Sequence, residues 1–368
     1  MDTNRIFGLD LMRATAILLV VRSHADDLLE PFWSADTGVP DIDGVDLFFV
    51  LSGFLIGGIL LRVMEAVHIP WHRRLLDFWQ RRWLRTLPNY FLFLGINVVL
   101  VHEDLIPGVL NTNTLAYIVF LQNFIVPVDL FFWESWSLAV EEWFYVLLPL
   151  VLFTCATARI GAKWSFILAI GSMVLVPAIL RSQAMDAIGT PIELDRSIRR
   201  VVVMRMDTIG FGVLAAWVGH YFPALWRKRQ AELLVLGAIG FVTATLLRGP
   251  DGLVYMGTWY FTLSAISMTL WLPVLSSWVR TGRWGGPIGF LSRISYALYL
   301  VHLPVRYLIE GAIPDASPSG TVLVYVGYWA ICILLSAAIH HFFERRFMGM
   351  RNGISRRILD PRALTPSS

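Results

Sequence analysis

Two residues near the amino terminus have the types and spacing for acid-base chemistry. Arg13 and His24 stand 11 positions apart. At about 100° per residue this separation ends about 20° past three full turns, so on a helix both side chains project from one face, about 16 Å apart along the axis. An imidazole titrates near neutral pH and can take the proton of an attacking hydroxyl. An ionisable group inside an apolar run is costly, and is by default a functional candidate. The plainer alternative is that Arg13 extends toward the near membrane surface and His24 is an ordinary interfacial residue.

Further candidates follow along the chain. Arg81, Arg82 and Arg85 crowd one helix segment just ahead of Pro88 and Tyr90. Their guanidinium forks suit a polyphosphate, although a basic helix held against anionic lipid fits the same composition. The segment Trp133 to Tyr145 brings Glu141 and Glu142 to the mouth of a helix among Trp136, Ser137 and Tyr145. Such carboxylates could orient an imidazole or grip sugar hydroxyls, or simply complement the helix dipole. Asp46 opens another apolar run in which Ser52 and Gly53 permit close approach of a helix or ligand. Arg205 and Asp207 are expected to pair with each other, structurally or around a substrate. His302 falls toward the end of a later run, where a lone histidine is more often structural. No metal site is expected: His340 and His341 are adjacent, and neighbouring positions on a helix do not face one site.

The elements that must position these groups are membrane spans. The chain of 368 residues is 56% hydrophobic and only 15% charged, against roughly 25% charged in soluble domains, which nearly excludes a water-soluble enzyme. Cys155 and Cys332 lie inside apolar runs and do not read as a bridge. The net charge of +3 gives no reason to expect a nucleic-acid partner. A span needs about 20 mostly apolar residues. Ten runs qualify, near residues 9 to 25, 46 to 64, 86 to 102, 138 to 156, 164 to 181, 201 to 222, 231 to 248, 257 to 279, 286 to 310 and 321 to 343. The run 115 to 128 is shorter and carries Gln122, Asn123 and Pro127, so it is expected to dip in and return on the outer face. Irregular backbone at that depth must be covered by protein or line a cavity.

With this topology 20 Lys and Arg residues fall in the cytoplasmic pieces and only Arg196, Arg199 and Arg200 lie well within outer loops, as the retention of basic residues inside demands. The expectation is an all-α polytopic bundle over residues 1 to 344, both termini cytoplasmic, followed by a basic cytoplasmic tail over 345 to 368. The first run carries Arg13, Arg22 and His24 and reads as a retained span, not a cleaved signal.

The ordered set resembles the acyltransferase 3 family of integral membrane acyltransferases, which includes bacterial O-antigen and exopolysaccharide acetylases. The resemblance rests on Leu9 and Asp10 leading to Arg13 with ten residues before His24; on Asp46 through Ile56; on Arg81, Arg82, Arg85, Pro88 and Tyr90; on Trp136, Ser137, Leu138, Glu141, Phe144 and Tyr145; and on Tyr299 to His302. It implies transfer of an acyl group, commonly acetyl, from cytoplasmic acetyl-CoA to a hydroxyl at the outer face of a bacterial plasma membrane. On that resemblance His24, Glu141 and Arg13 are the catalytic candidates. Arg81, Arg82, Arg85, Tyr90 and Ser52 would hold the donor, acetyl-CoA. Asp46, Trp136, Ser137, Tyr145, Arg205, Asp207 and His302 would contact a glycan or lipid-linked glycan. Glu141, or failing it Asp46, would hold the His24 tautomer; direct transfer and an acyl-histidine intermediate both stay open. A transporter or flippase for a polar substrate, and acylation of a small molecule such as a macrolide, are the alternatives.

Overall fold

Each of the ten expected runs is helical in the computed structural model, which describes residues 5–28, 42–66, 69–127, 131–248, 252–313 and 318–359. In chain order the helices are α1 (Phe7–Ala25), α2 (Gly44–Glu65), α3 (Trp71–His102), α4 (Ser135–Thr157), α5 (Ala162–Ala184), α6 (Val202–Tyr221) and α7 (Gln230–Leu246). They are followed by α8 (Leu253–Ser277), α9 (Gly285–Ala312), α10 (Pro318–Ile339) and α11 (Arg345–Leu359). Among the described residues, eight helices are long and apolar enough to cross a membrane. Of the remaining two expected spans, α7 has 17 residues, and α1 contains Asp10, Arg13 and Arg22. At about 1.5 Å per residue, the 32 residues of α3 exceed a hydrocarbon layer of about 30 Å. Its basic first half therefore stands outside the layer, ahead of the apolar run from residue 86.

Small residues set the closest packing. A Cβ on Gly53 would sit 2.0 Å from the Ile209 carbonyl oxygen, and one on Gly212 would sit 2.1 Å from that of Val50. Glycine at both positions lets α2 and α6 touch backbone to backbone, as small residues do between membrane helices. Buried ion pairs fasten the same layer. Arg205 on α6 pairs with Asp46 on α2. Arg181 on α5 pairs with Asp207 on α6 at 2.7 Å, both side chains fully buried. Arg205 and Asp207 thus do not pair with each other: two positions apart on a helix, about 200° around the axis, they face different neighbours.

The segment 115 to 127 does not span. A 3-10 turn over Thr112–Val119 ends at Phe120, φ 59°, and the chain turns irregularly after it. Its backbone oxygens find protein donors. Tyr90 donates its hydroxyl to the Tyr117 carbonyl at 2.8 Å, and Trp143 Nε1 donates to Phe120 at 2.9 Å. Buried Asn123 donates to the carbonyls of Trp136 and Arg200 at 3.0 and 2.6 Å. Irregular backbone away from water needs this satisfaction.

At the carboxyl end, the first part of the basic tail expected over 345 to 368 is a helix. Residues 345–359 are helical and dock on the start of α3, where Ser355 hydrogen-bonds both Asp77 and Arg81; the expected tail residues 360–368 lie outside the described residues. Among the described residues three π-helical turns occur, Asp195–Arg199, Met256–Tyr260 and His340–Glu344. All three turn side chains onto cavities. Such turns recur at functional sites because they shift a side chain off the regular helical register.

Candidate functional site

Helix α1 is the spine of the site, with a basic cavity at its first turn and a second polar cavity at its last. The basic one has a volume of about 950 Å³ and is lined by Arg5, Arg85, Arg293 and Arg345 with Asp10 and Glu344, so positive charge predominates. Arg13 lies at its inner end. Asp10 organises this floor: it accepts from Arg5 at 2.5 and 2.9 Å and from Ser292 at 2.7 Å, and lies 3.7 Å from Arg13. With Asp10 shared in this way, the outer guanidiniums remain an anion-binding surface.

Arg13, Leu55 and Arg85 also line a deeper cavity of about 90 Å³. Here Glu141 is held from two sides, by Ser52 at 2.8 Å on one carboxylate oxygen and by the Tyr145 hydroxyl at 2.8 Å on the other. The Arg82 guanidinium lies 5.4 Å over the Tyr145 ring. On the opposite wall Tyr299 donates to the Glu134 carbonyl at 3.0 Å, so Ser137, at 2.6 Å, must donate to Tyr299. The chamber is small, with aromatic rings on both walls.

At the far end of α1, His24 lines a cavity of about 370 Å³ with Ser23, Asp43, Asp195, Arg199 and Tyr260. His24 Nδ1 is 2.8 Å from the Val20 carbonyl oxygen. A carbonyl only accepts, so Nδ1 carries the proton and a neutral ring has its lone pair on Nε2. The ring stands 5.0 Å from that of His302, whose Nδ1 faces the Tyr299 carbonyl at 2.7 Å. The His302 Nε2 is buried with no hydrogen-bond partner. Asp43 caps α2 by accepting from the Val45 amide at 2.8 Å. Burial pushes its carboxyl up, but the Arg199 guanidinium beside it outweighs this and holds it below the usual carboxylate range.

The deep cavity and the His24 cavity abut at Val45, which lines both, and the ring centres of Tyr299 and His302 stand 5.6 Å apart. Glu141 belongs to the deep cavity and Asp46 to the ion pair with Arg205, so neither is the group that fixes the His24 ring. That task falls to the main chain of α1.

Of the residues singled out in the sequence, Arg13, Ser52, Arg82 and Arg85 meet Ser137, Glu141 and Tyr145 in the deep cavity. His24 and His302 meet each other at the far end. The structure draws the others elsewhere. Arg81 is taken by Asp77 and Ser355 at 3.0 and 2.5 Å, and the Tyr90 hydroxyl holds the irregular segment. Trp136 is buried against Phe49 with its ring centre 5.9 Å away. Asp46, Arg205 and Asp207 tie helices together.

Sequence reasoning missed Arg293 and Arg345 at the basic mouth and Arg248 and Tyr260 beside His24. One signal was present for the other wall: Ser295, Tyr299 and His302, at intervals of four and three, share a helix face. Among the described residues no group of three or more His, Cys, Asp or Glu side chains could hold a metal ion.

This arrangement can be set beside known proteins. A Staphylococcus aureus (strain COL) protein described as "Putative O-acetyltransferase" is 26% identical over 380 residues, covering 92% of this chain and 57% of its own length. O-acetyltransferase OatA of Staphylococcus aureus (strain NCTC 8325 / PS 47) is 25% identical over 376 residues, covering 92% of this chain and 56% of its own. The chain therefore spans a little over half the length of these relatives. No solved structure matches. The family model described as an acyltransferase domain matches residues 6–341, nearly the whole helical bundle and both ends of the α1 spine, and the chain belongs to that acyltransferase family.

Proposed function

We propose that the protein is a membrane O-acyltransferase that takes an acyl group, acetyl from acetyl-CoA, at its basic face and delivers it to a hydroxyl of a cell-surface or exported glycan at the opposite face. One observation carries the reading: a single helix sets Arg13 where the two basic cavities meet and His24 in the cavity at its other end, about 16 Å along the axis. The retention of Lys and Arg inside assigns the basic face to the cytoplasm.

A CoA ester is large, anionic and strongly hydrated at its nucleotide end. That end belongs in the wide mouth among Arg85, Arg293 and Arg345, while the thin pantetheine arm passes Arg13 into the deep cavity between Glu141 and Tyr299. His24, with Nδ1–H donated to Val20 and Nε2 free, acts as the base. The acceptor oxygen attacks the thioester carbonyl as its proton passes to Nε2. The carbon–sulfur bond then breaks, and the imidazolium returns the proton to the departing CoA thiolate. The acyl group passes at Val45, the residue that lines both cavities.

Replacing His24 with Ala is expected to abolish acceptor-dependent release of free CoA in nanodiscs while elution volume and thermal midpoint stay unchanged; near-normal release would remove His24 from the chemistry. Separate cavities at the two ends of one helix are also what alternating access uses, which keeps a transporter as the second reading. A transporter would move a glycan across the bilayer with no CoA released.

A further inference from the structure

We infer that the His24 cavity takes an acceptor carrying an oxyanion, a carboxylate or phosphate near the hydroxyl to be acylated, and that Arg248 is the residue that selects it. The inference deepens the acyl-transfer reading and rests on it for the identity of the cavity as the acceptor site.

The charges that line this cavity are almost all spoken for. Arg199 donates to Asp43 through Nε and Nη2 at 3.0 and 2.5 Å and to Asp195 through Nη1 at 2.9 Å. Its fork is therefore filled, and both lining carboxylates are neutralised. Arg200 stands behind the cavity, 2.7 Å from Asp195 and 3.9 Å over the Trp133 ring. Arg248 is different. Among the described residues its side chain has no acidic partner and no hydrogen bond, and its Nε is shut off from solvent. Its guanidinium carbon lies 3.9 Å over the ring of Tyr260, itself 2% exposed.

Stacking uses the face of a guanidinium and leaves its N–H donors directed outward in its plane. A stacked, uncommitted fork on a cavity wall is the arrangement that receives an oxyanion through two parallel hydrogen bonds. The Tyr260 platform comes from the π-helical turn Met256–Tyr260, and Arg199 from the turn Asp195–Arg199. The register shifts of two separate elements thus build one wall. A neutral glycan would leave the cationic fork in a partly closed cavity without a partner, which disfavours it relative to an anionic one.

The test uses wild-type protein in nanodiscs and three probes of one skeleton: 4-nitrophenyl β-glucoside, its glucuronide and its 6-phosphate. Calorimetry is expected to give at least about tenfold tighter binding of an anionic probe than of the neutral one. That preference should vanish in Arg248→Ala and Arg248→Gln and survive in part in Arg248→Lys, with acetyl-CoA binding as the control for folding. The tighter of the two anions identifies the source as a uronic-type sugar or a phosphorylated one. Equal binding of charged and neutral probes, a preference that outlives Arg248→Ala, or no saturable binding of either anion overturns the inference. Arg248-dependent binding without CoA release would remove the acyl-transfer reading and leave the anion site standing. CoA release with neutral glycans, indifferent to Arg248, would do the reverse.

Discussion

The chemistry of His24 depends on what each ring nitrogen faces. A hydrogen bond to the carbonyl four residues back fixes the tautomer without a carboxylate, so under the proposed function the base would need only its own helix to present Nε2. Arginines divide by the same logic. Arg85 lines both basic cavities, whereas Arg81 is bound to Asp77 and Ser355. Arg85→Ala is therefore expected to raise the KM for acetyl-CoA about tenfold or more with kcat less affected, as the loss of a charged hydrogen bond implies. Arg81→Ala should act mainly on stability. Steady-state kinetics with saturating acceptor check this, and a larger KM effect at Arg81 would relocate the donor. Arg13, His24 and Glu141 were legible because ionisable groups stand out in apolar runs, and Arg85 because it sits in a basic cluster just ahead of one. Which partner each one takes was not, since Arg81 and Arg85 look alike until Ser355, 274 positions from Arg81, docks beside the first.

At the scale of elements, α2, α5 and α6 are locked by charges that the sequence paired wrongly. Proximity along the chain suggested Arg205 with Asp207; helix geometry sends them to Asp46 and Arg181 instead. Removing one member of a fully buried pair leaves an uncompensated charge, at a cost of about 3 to 5 kcal/mol. Asp207→Ala alone should thus lower the thermal midpoint in detergent sharply, while Arg181→Met with Asp207→Leu should recover most of the loss. Thermal unfolding of the two variants decides the matter, and an undisturbed single variant would contradict the lock. Helix positions themselves were readable from apolar run length. The three π-helical turns were not, because they arise from packing around the cavities and leave no periodic signal in the chain. They carry Arg199, Tyr260 and His340, none of which had been placed in the site from sequence. The docked helix α11 was likewise hidden, since its basic composition reads equally as a solvated tail.

Across the whole molecule, two chambers of unlike chemistry lie at opposite ends of one helix: a broad basic cavity, and a smaller mixed-charge cavity around an imidazole. The narrow chamber between them admits a chain and excludes a nucleotide. On the proposed function, such a division would make the acyl group the only part of the donor to cross, and the reaction itself vectorial. Sided reconstitution tests this most directly. Proteoliposomes would be loaded with radiolabelled acetyl-CoA in the lumen or supplied with it outside, with a membrane-impermeant glycan acceptor on the same side or the opposite one. Label is expected in the acceptor only when donor and acceptor occupy opposite compartments, and not at all with His24→Ala. Transfer between donor and acceptor confined to one compartment would contradict the account.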